Sequence, residues 1–202
     1  EVQEVAKMAG IEYDVWDDSA DCELTASLEY RKRLVRDIRK FSPDLVITHR
    51  PNDYHVDHRN TSILVQDASY LLIVPNFCPD VPAMEKMPVI MYFYDHFQNP
   101  PFEADVNVDI DDVIEQKYQL LNCHVSQFYE WLPHINGWTD IQAAPTFEEK
   151  TELLYKQMHS RFSRAAKLYP DKLPEGTQHA EAFEWNEYGG ALTDELIEVM
   201  TK

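Results

Sequence analysis

The chain has 202 residues, 44% of them hydrophobic, enough to bury a sizeable core without disulfides or an obligate metal. Eighteen Lys and Arg against 36 Asp and Glu leave a formal charge of −18, a field that repels phosphate backbones and anionic headgroups and argues against nucleic acid or a membrane surface as partner. Cys22, Cys78 and Cys123 stand far apart with no Cys-x-x-Cys pair, as packed thiols do, and no run of about 18 apolar residues or signal-peptide layout is present.

Residues 1–9 read as a helix with Val2, Val5, Ala6 and Ala9 on one face, stopped at Gly10 and followed by a short strand over 11–16. No capping residue precedes that helix, so the pair resembles an αβ unit whose first strand is missing. Residues 24–41 form a strongly amphipathic helix through Leu24, Leu28, Leu34, Val35, Ile38 and Phe41. After Ser42-Pro43, residues 44–48 read as a buried strand, and a further helix covers about 57–72. Helix, proline turn, β-branched strand, polar loop and helix is the alternation of an α/β fold. A Rossmann-like, mainly parallel sheet flanked by helices is expected, in a single domain over 1–202. The stretch 75–88, with four prolines, reads as an irregular loop, 89–94 as a strand and 106–110 as another. Asp109 or Asp111 caps a long helix through about Trp131, the aromatic stretch 129–138 is turn-rich, and a last long helix spans about 146–168. The tail 180–202 contains the Gly189-Gly190 break before a short helix.

Ligands of open α/β sheets bind beyond the carboxyl ends of the strands, and here that place is occupied by His49-Arg-Pro-Asn-Asp-Tyr-His-Val-Asp-His58. Asp53, His55, Asp57 and His58 put two imidazoles and two carboxylates within six residues, and His55 and His58 share the face of a helical first turn. Imidazole suits zinc, and a neighbouring carboxylate fixes the tautomer that ligates it. Spacing alone fits a surface helix as well as a metal site. The position after a strand and at the opening of a helix favours the latter.

The chain resembles the PIG-L or LmbE-like zinc de-N-acetylases on four segments: residues 43–49 (PDLVITH), 53–59 (DYHVDHR), 88–94 (PVIMYFY) and Lys117 through His124-Val-Ser-Gln127. That resemblance implies zinc-dependent hydrolysis of the acetamide of an N-acetylglucosamine-type sugar or glycoconjugate, with Zn2+ as cofactor and an N-acetylated small molecule as partner. It implies His58 as a zinc ligand, His55 as the group facing the oxyanion, Asp57 as the residue that orients that imidazole, and His124 near the pocket; Arg50 and Asp53, within the same segment, are expected to bind the substrate. The family's Ala-His-Pro-Asp-Asp-Glu segment, which supplies its other metal ligands and general base, has no counterpart here. The chain is therefore expected to be the C-terminal part of a catalytic domain, inactive alone, and cytoplasmic. Oligomeric state and the identity of the N-acylated substrate are not specified.

On periodicity alone His124 serves equally as a core histidine beside Leu120, Leu121 and Phe128. Arg50 and Arg59 either hold an anionic substrate group or offset nearby carboxylates. Two other readings compete. A metallo-β-lactamase signature is approached by residues 53–58, but the helical chain downstream lacks the strands such a sandwich needs. A non-catalytic carbohydrate-binding module on the same fold is the alternative from another class.

Overall fold

Capping decides where the helices begin and end. In the computed structural model, which describes residues 1–202, helix α1 spans Val2–Ala9 and stops at Gly10 in the left-handed conformation (φ 67°), one that glycine adopts without strain. The residues after it, 11–16, form no strand: Ile11 and Tyr13 are exposed and no neighbouring strand pairs with them, so apolar content alone does not extend the sheet. Helix α2 (Leu28–Phe41) starts later than apolar periodicity suggests because Ser27 caps it, accepting from the Tyr30 amide.

The chain forms two compact units, residues 16–107 with 182–202, and residues 1–15 with 108–181. In the first, strand β1 (Leu45–Thr48) pairs parallel with β2 (Val89–Phe93) in the register Leu45↔Val89 to Thr48↔Tyr92. Strand β4 (Ala180–Asn186) pairs antiparallel with β2, Ile90↔Asn186 to Phe93↔Phe183, and β3 (Val106–Asp109) completes the order β1-β2-β4-β3. The sheet is thus mixed: the parallel pairing expected from the alternation holds at β1/β2, and β4, which the alternation does not mark, joins with the opposite sense. At the sheet edge β1 is half-buried, with Ile47 37% exposed, where residues 44–48 were expected to be fully covered. Helix α3 (Val56–Ser69) continues as a 3-10 turn over Tyr70–Ile73, and α9 (Asp194–Met200) follows the Gly-Gly break. α2 packs on α3, closing a core of Val35, Ile38, Ala68, Leu72 and Cys78.

Beneath that core the Arg39 guanidinium, 5% exposed, donates to six carbonyls: Leu71, Leu72, Val74, Phe77, Cys78 and Val81. One side chain on α2 thereby ties together the irregular segment after α3, adding a donor to carbonyls of which those of Leu71, Leu72, Val74 and Cys78 also accept from backbone amides.

The second unit contains α1, α4 (Ile114–Asn122), α5 (Leu132–Asn136), α6 (Thr139–Ala143), α7 (Phe147–Phe162) and α8 (Arg164–Leu168). The long helix expected through Trp131 breaks at Cys123 and resumes as a π-helical turn over Ser126–Trp131, and the aromatic stretch beyond it is largely helical. Tyr118, Tyr129, Ile141, Leu154, Met158 and Phe162 form its core. Lys117 contacts Glu181 as an ion pair, with its ammonium 4.6 Å from the Phe162 ring.

Gly189 and Gly190 are required by a close approach. A Cβ on Gly189 would meet the Ile90 amide nitrogen at 2.7 Å, and one on Gly190 the Met87 carbonyl at 2.6 Å, where the Gly190 amide also donates to Pro88 O at 2.7 Å. Gly190→Ala is expected to cost about 1–3 kcal/mol, the range for overpacking a fixed interior, read as a lower denaturant midpoint at unchanged slope.

Candidate active site

Parallel strands deliver their carboxyl ends to one edge, and the loops leaving β1 and β2 meet there. Arg50, two residues past β1, is 2% exposed. Its Nη1 donates to Asp95 Oδ1 (3.0 Å) and Phe97 O (3.4 Å), its Nη2 to Pro100 O (2.9 Å) and Pro101 O (3.2 Å), and its Nε forms an ion pair with Glu184 Oε2 at 2.8 Å. Four hydrogen bonds from Nη1 and Nη2 and the ion pair at Nε tie the loop after β1 to the loop after β2 and leave the buried guanidinium no face for a solute. Burial pushes the Glu184 carboxyl up, and Arg50 partly offsets that shift.

Asp53 organises the next residues. Its Oδ1 accepts from the His55 amide (2.8 Å) and lies 3.0 Å from His58 Nδ1, and its carboxylate is 9% exposed. His58 stacks face to face on His49, centroids 3.9 Å apart and planes within 2°. Ligand atoms of His49, Asp53 and His58 all lie within 4.8 Å of one another, two imidazoles and a carboxylate of the kind that hold catalytic zinc. His49 is held below its ordinary value by burial first and by His58 second, so it favours the neutral form that ligation demands. Sequence reasoning gave His49 no role, although its place directly after a strand was the available signal.

His55 is the N-cap of α3, its Nδ1 accepting from the Asp57 amide at 3.3 Å. In the neutral ring the proton then sits on Nε2. The Asp57 carboxylate turns elsewhere, accepting from the amides of Cys22 (2.8 Å) and Leu24 (3.1 Å), so it anchors the loop before α2. Arg59 Nη1 donates to the carbonyls of Asp53 (2.7 Å) and Tyr54 (2.9 Å). The structure therefore gathers His49, Asp53, His55, Asp57 and His58 into one cluster and buries Arg50 behind them. His124 lies in the other unit, where its carbonyl accepts from the Phe128 amide and its ring lies 6.2 Å from that of Phe128.

An α/β sheet with an imidazole and carboxylate cluster beyond a parallel strand pair defines the class. Residues 1–69 match the PIG-L family, described as GlcNAc-PI de-N-acetylase. The diacetylchitobiose deacetylase of Thermococcus kodakarensis is 32% identical over 130 residues, 58% of this chain and 46% of that protein, so the match spans under half of the relative's length. Among solved structures, the N,N'-diacetylchitobiose deacetylase of Pyrococcus horikoshii is similar with a TM-score of 0.66 and 24% identity, covering 92% of this chain and 61% of that one. The 4-carboxy-2-hydroxymuconate hydratase GalB of Pseudomonas putida KT2440 is similar at 0.65 and 18%, covering 95% and 71%. The two structural likenesses establish the fold. The family match covers residues 1–69, about a third of the chain, and over that stretch the chain is similar to the PIG-L, LmbE-like proteins.

Two outcomes follow. Asp57→Asn retains one acceptor oxygen where two are used, so amide exchange at Cys22 and Leu24 is expected to accelerate by at least about tenfold, the loss of roughly 1.4 kcal/mol from a charge-assisted bond. The His49 ring is expected to titrate below 6.5 by NMR. Because its folded value is depressed, its contribution to stability is present above 6.5 and is lost as pH falls through the folded value.

Proposed function

We propose that the protein is a zinc-dependent amide hydrolase that removes the acetyl group from an N-acetylglucosamine-type sugar or glycoconjugate. The observation that carries this reading is the His49, Asp53 and His58 cluster with His55 at its side, beyond the carboxyl end of β1. The match of residues 1–69 to the PIG-L family and the deacetylase activity named for the Thermococcus relative support the acetamide as substrate.

Zinc in such a donor set supplies Lewis acidity and an acidified water. The chain's own residues do the rest. His49 and His58 offer ring nitrogens, and Asp53 holds the His58 ring by its Nδ1, a carboxylate and histidine pairing that fixes both tautomer and plane. His55 carries its proton on Nε2, because its Nδ1 is occupied by the Asp57 amide, and on substrate binding turns that N–H from Cys22 and Asp21 toward the carbonyl oxygen on which negative charge develops. Arg50 contributes rigidity: with both loops pinned to its guanidinium, the cluster needs little reorganisation as charge builds. Asp57 acts on His55 through the backbone, its amide capping the ring while its carboxylate holds the neighbouring loop.

The test is metal content of the full-length protein by elemental analysis together with acetate release from N-acetylglucosamine derivatives. About one zinc per chain, lost with acetate release in His58→Ala, is the expected result. His55→Ala is expected to retain the metal and lose roughly 10²–10³ in kcat, the cost of removing one oxyanion donor. A protein that holds no zinc and releases no acetate would overturn the proposal.

A further inference from the structure

Beside the first ligand group lies a second, built from different elements. Asp21 and Cys22, on the loop before α2, converge on His55 at the start of α3, and their carboxylate oxygen, Sγ and ring nitrogen all lie within 4.8 Å of one another. Cys22 Sγ is 3.4 Å from His55 Nε2, and Asp21 Oδ1 is 3.7 Å from the same nitrogen. All three face solvent to some degree, so an ion can reach them.

The convergence is imposed. Cys22 has φ 69°, a left-handed backbone seldom adopted by residues other than glycine, asparagine and aspartate. The Asp57 carboxylate holds it there through the Cys22 and Leu24 amides, and the same residue's amide holds the opposite edge of the His55 ring. One residue thus fixes both the thiol and the imidazole. A thiol, an imidazole and a carboxylate form a donor set selective for thiophilic divalent ions such as zinc and cadmium over magnesium or calcium. Three protein donors leave a tetrahedral ion one open position for water.

We propose that Asp21, Cys22 and His55 form a second, inhibitory site for a thiophilic divalent cation. Binding displaces the Cys22 thiol proton to solvent, shifts the His55 ring proton from Nε2 to Nδ1 at the expense of the hydrogen bond from the Asp57 amide, and forms bonds from the ion to Sγ, His55 Nε2 and an Asp21 oxygen; no electron transfer is involved. Occupancy takes His55 Nε2 away from the substrate carbonyl. That inhibitory half rests on the function proposed above, while the binding half does not.

Cadmium alone serves as the probe. Titrating the chain with Cd2+ is expected to raise the ultraviolet sulfur-to-cadmium absorption to about one equivalent, consistent with a single thiolate-containing set. The band is expected to vanish in Cys22→Ser, weaken at least about tenfold in affinity in His55→Ala, more than outer partners of a metal cost at the low end, and persist in Cys123→Ser and His58→Ala. No band in the wild type, or one unchanged in Cys22→Ser, overturns the site. In the acetate assay, the cadmium concentration that halves each variant's own rate is expected to rise at least about tenfold in Cys22→Ser, the same ligand loss read as inhibition. An unshifted midpoint overturns the inhibitory role. Absence of acetate release under all conditions would instead sink the hydrolase reading and leave the absorption result standing.

Discussion

A guanidinium with 2% exposure is sustained only by acceptors and counter-charges close around it, and Arg50 gains them by drawing three separate stretches of chain around itself. Asp95 and the carbonyls of Phe97, Pro100 and Pro101 come from the loop after β2, Glu184 from β4, and the arginine itself from the loop after β1. The two loops that border the histidine cluster are therefore not independent of the sheet. Substituting a neutral residue would leave Asp95 and Glu184 facing each other's charge without the cation that justifies their burial.

The same logic recurs on a smaller scale. Arg39 serves six carbonyls of the segment after α3, Asp53 serves an amide and an imidazole, and Asp57 serves two amides with its side chain. In each case a charged group is spent on backbone or on a ring's orientation. The cost of desolvating it is offset by fixing irregular chain where a functional loop must hold its shape. The chain as a whole carries a formal charge of −18, and the field of that excess favours cations over anions near the cluster.

Much of this arrangement is legible in the residues. The strand ending at Thr48, the polar loop after it and the helix opening at Val56 follow from β-branched residues, proline and apolar spacing, and they place His55 and His58 at a ligand-binding edge. What periodicity does not carry is long-range pairing. The roles of Arg50 and Asp57 depend on partners 45 and 35 residues away, the Asp95 carboxylate that accepts from Arg50 and the Cys22 amide that donates to Asp57, which no local pattern encodes. Strand β4 escapes for a related reason: Ala180, Ala182 and Ala-flanked Glu181 have weak strand propensity, and the segment is extended because β2 offers a partner. The break at Cys123 and the π-helical turn beyond it likewise interrupt a run that composition alone would continue. His124 is assigned to the substrate by resemblance, yet its described neighbours are those of its own helical unit.

The helix that carries His58 is capped by His55 instead of serine, threonine, aspartate or asparagine, the side chains that do this best. Evolutionary pressure for a sturdier protein and pressure for a working site therefore pull in opposite directions at this position. A population selected only for thermal tolerance would drift toward aspartate or serine at residue 55, gaining a better helix start while surrendering the imidazole. Persistence of histidine there among descendants of this chain would be a record of selection for chemistry, paid in stability.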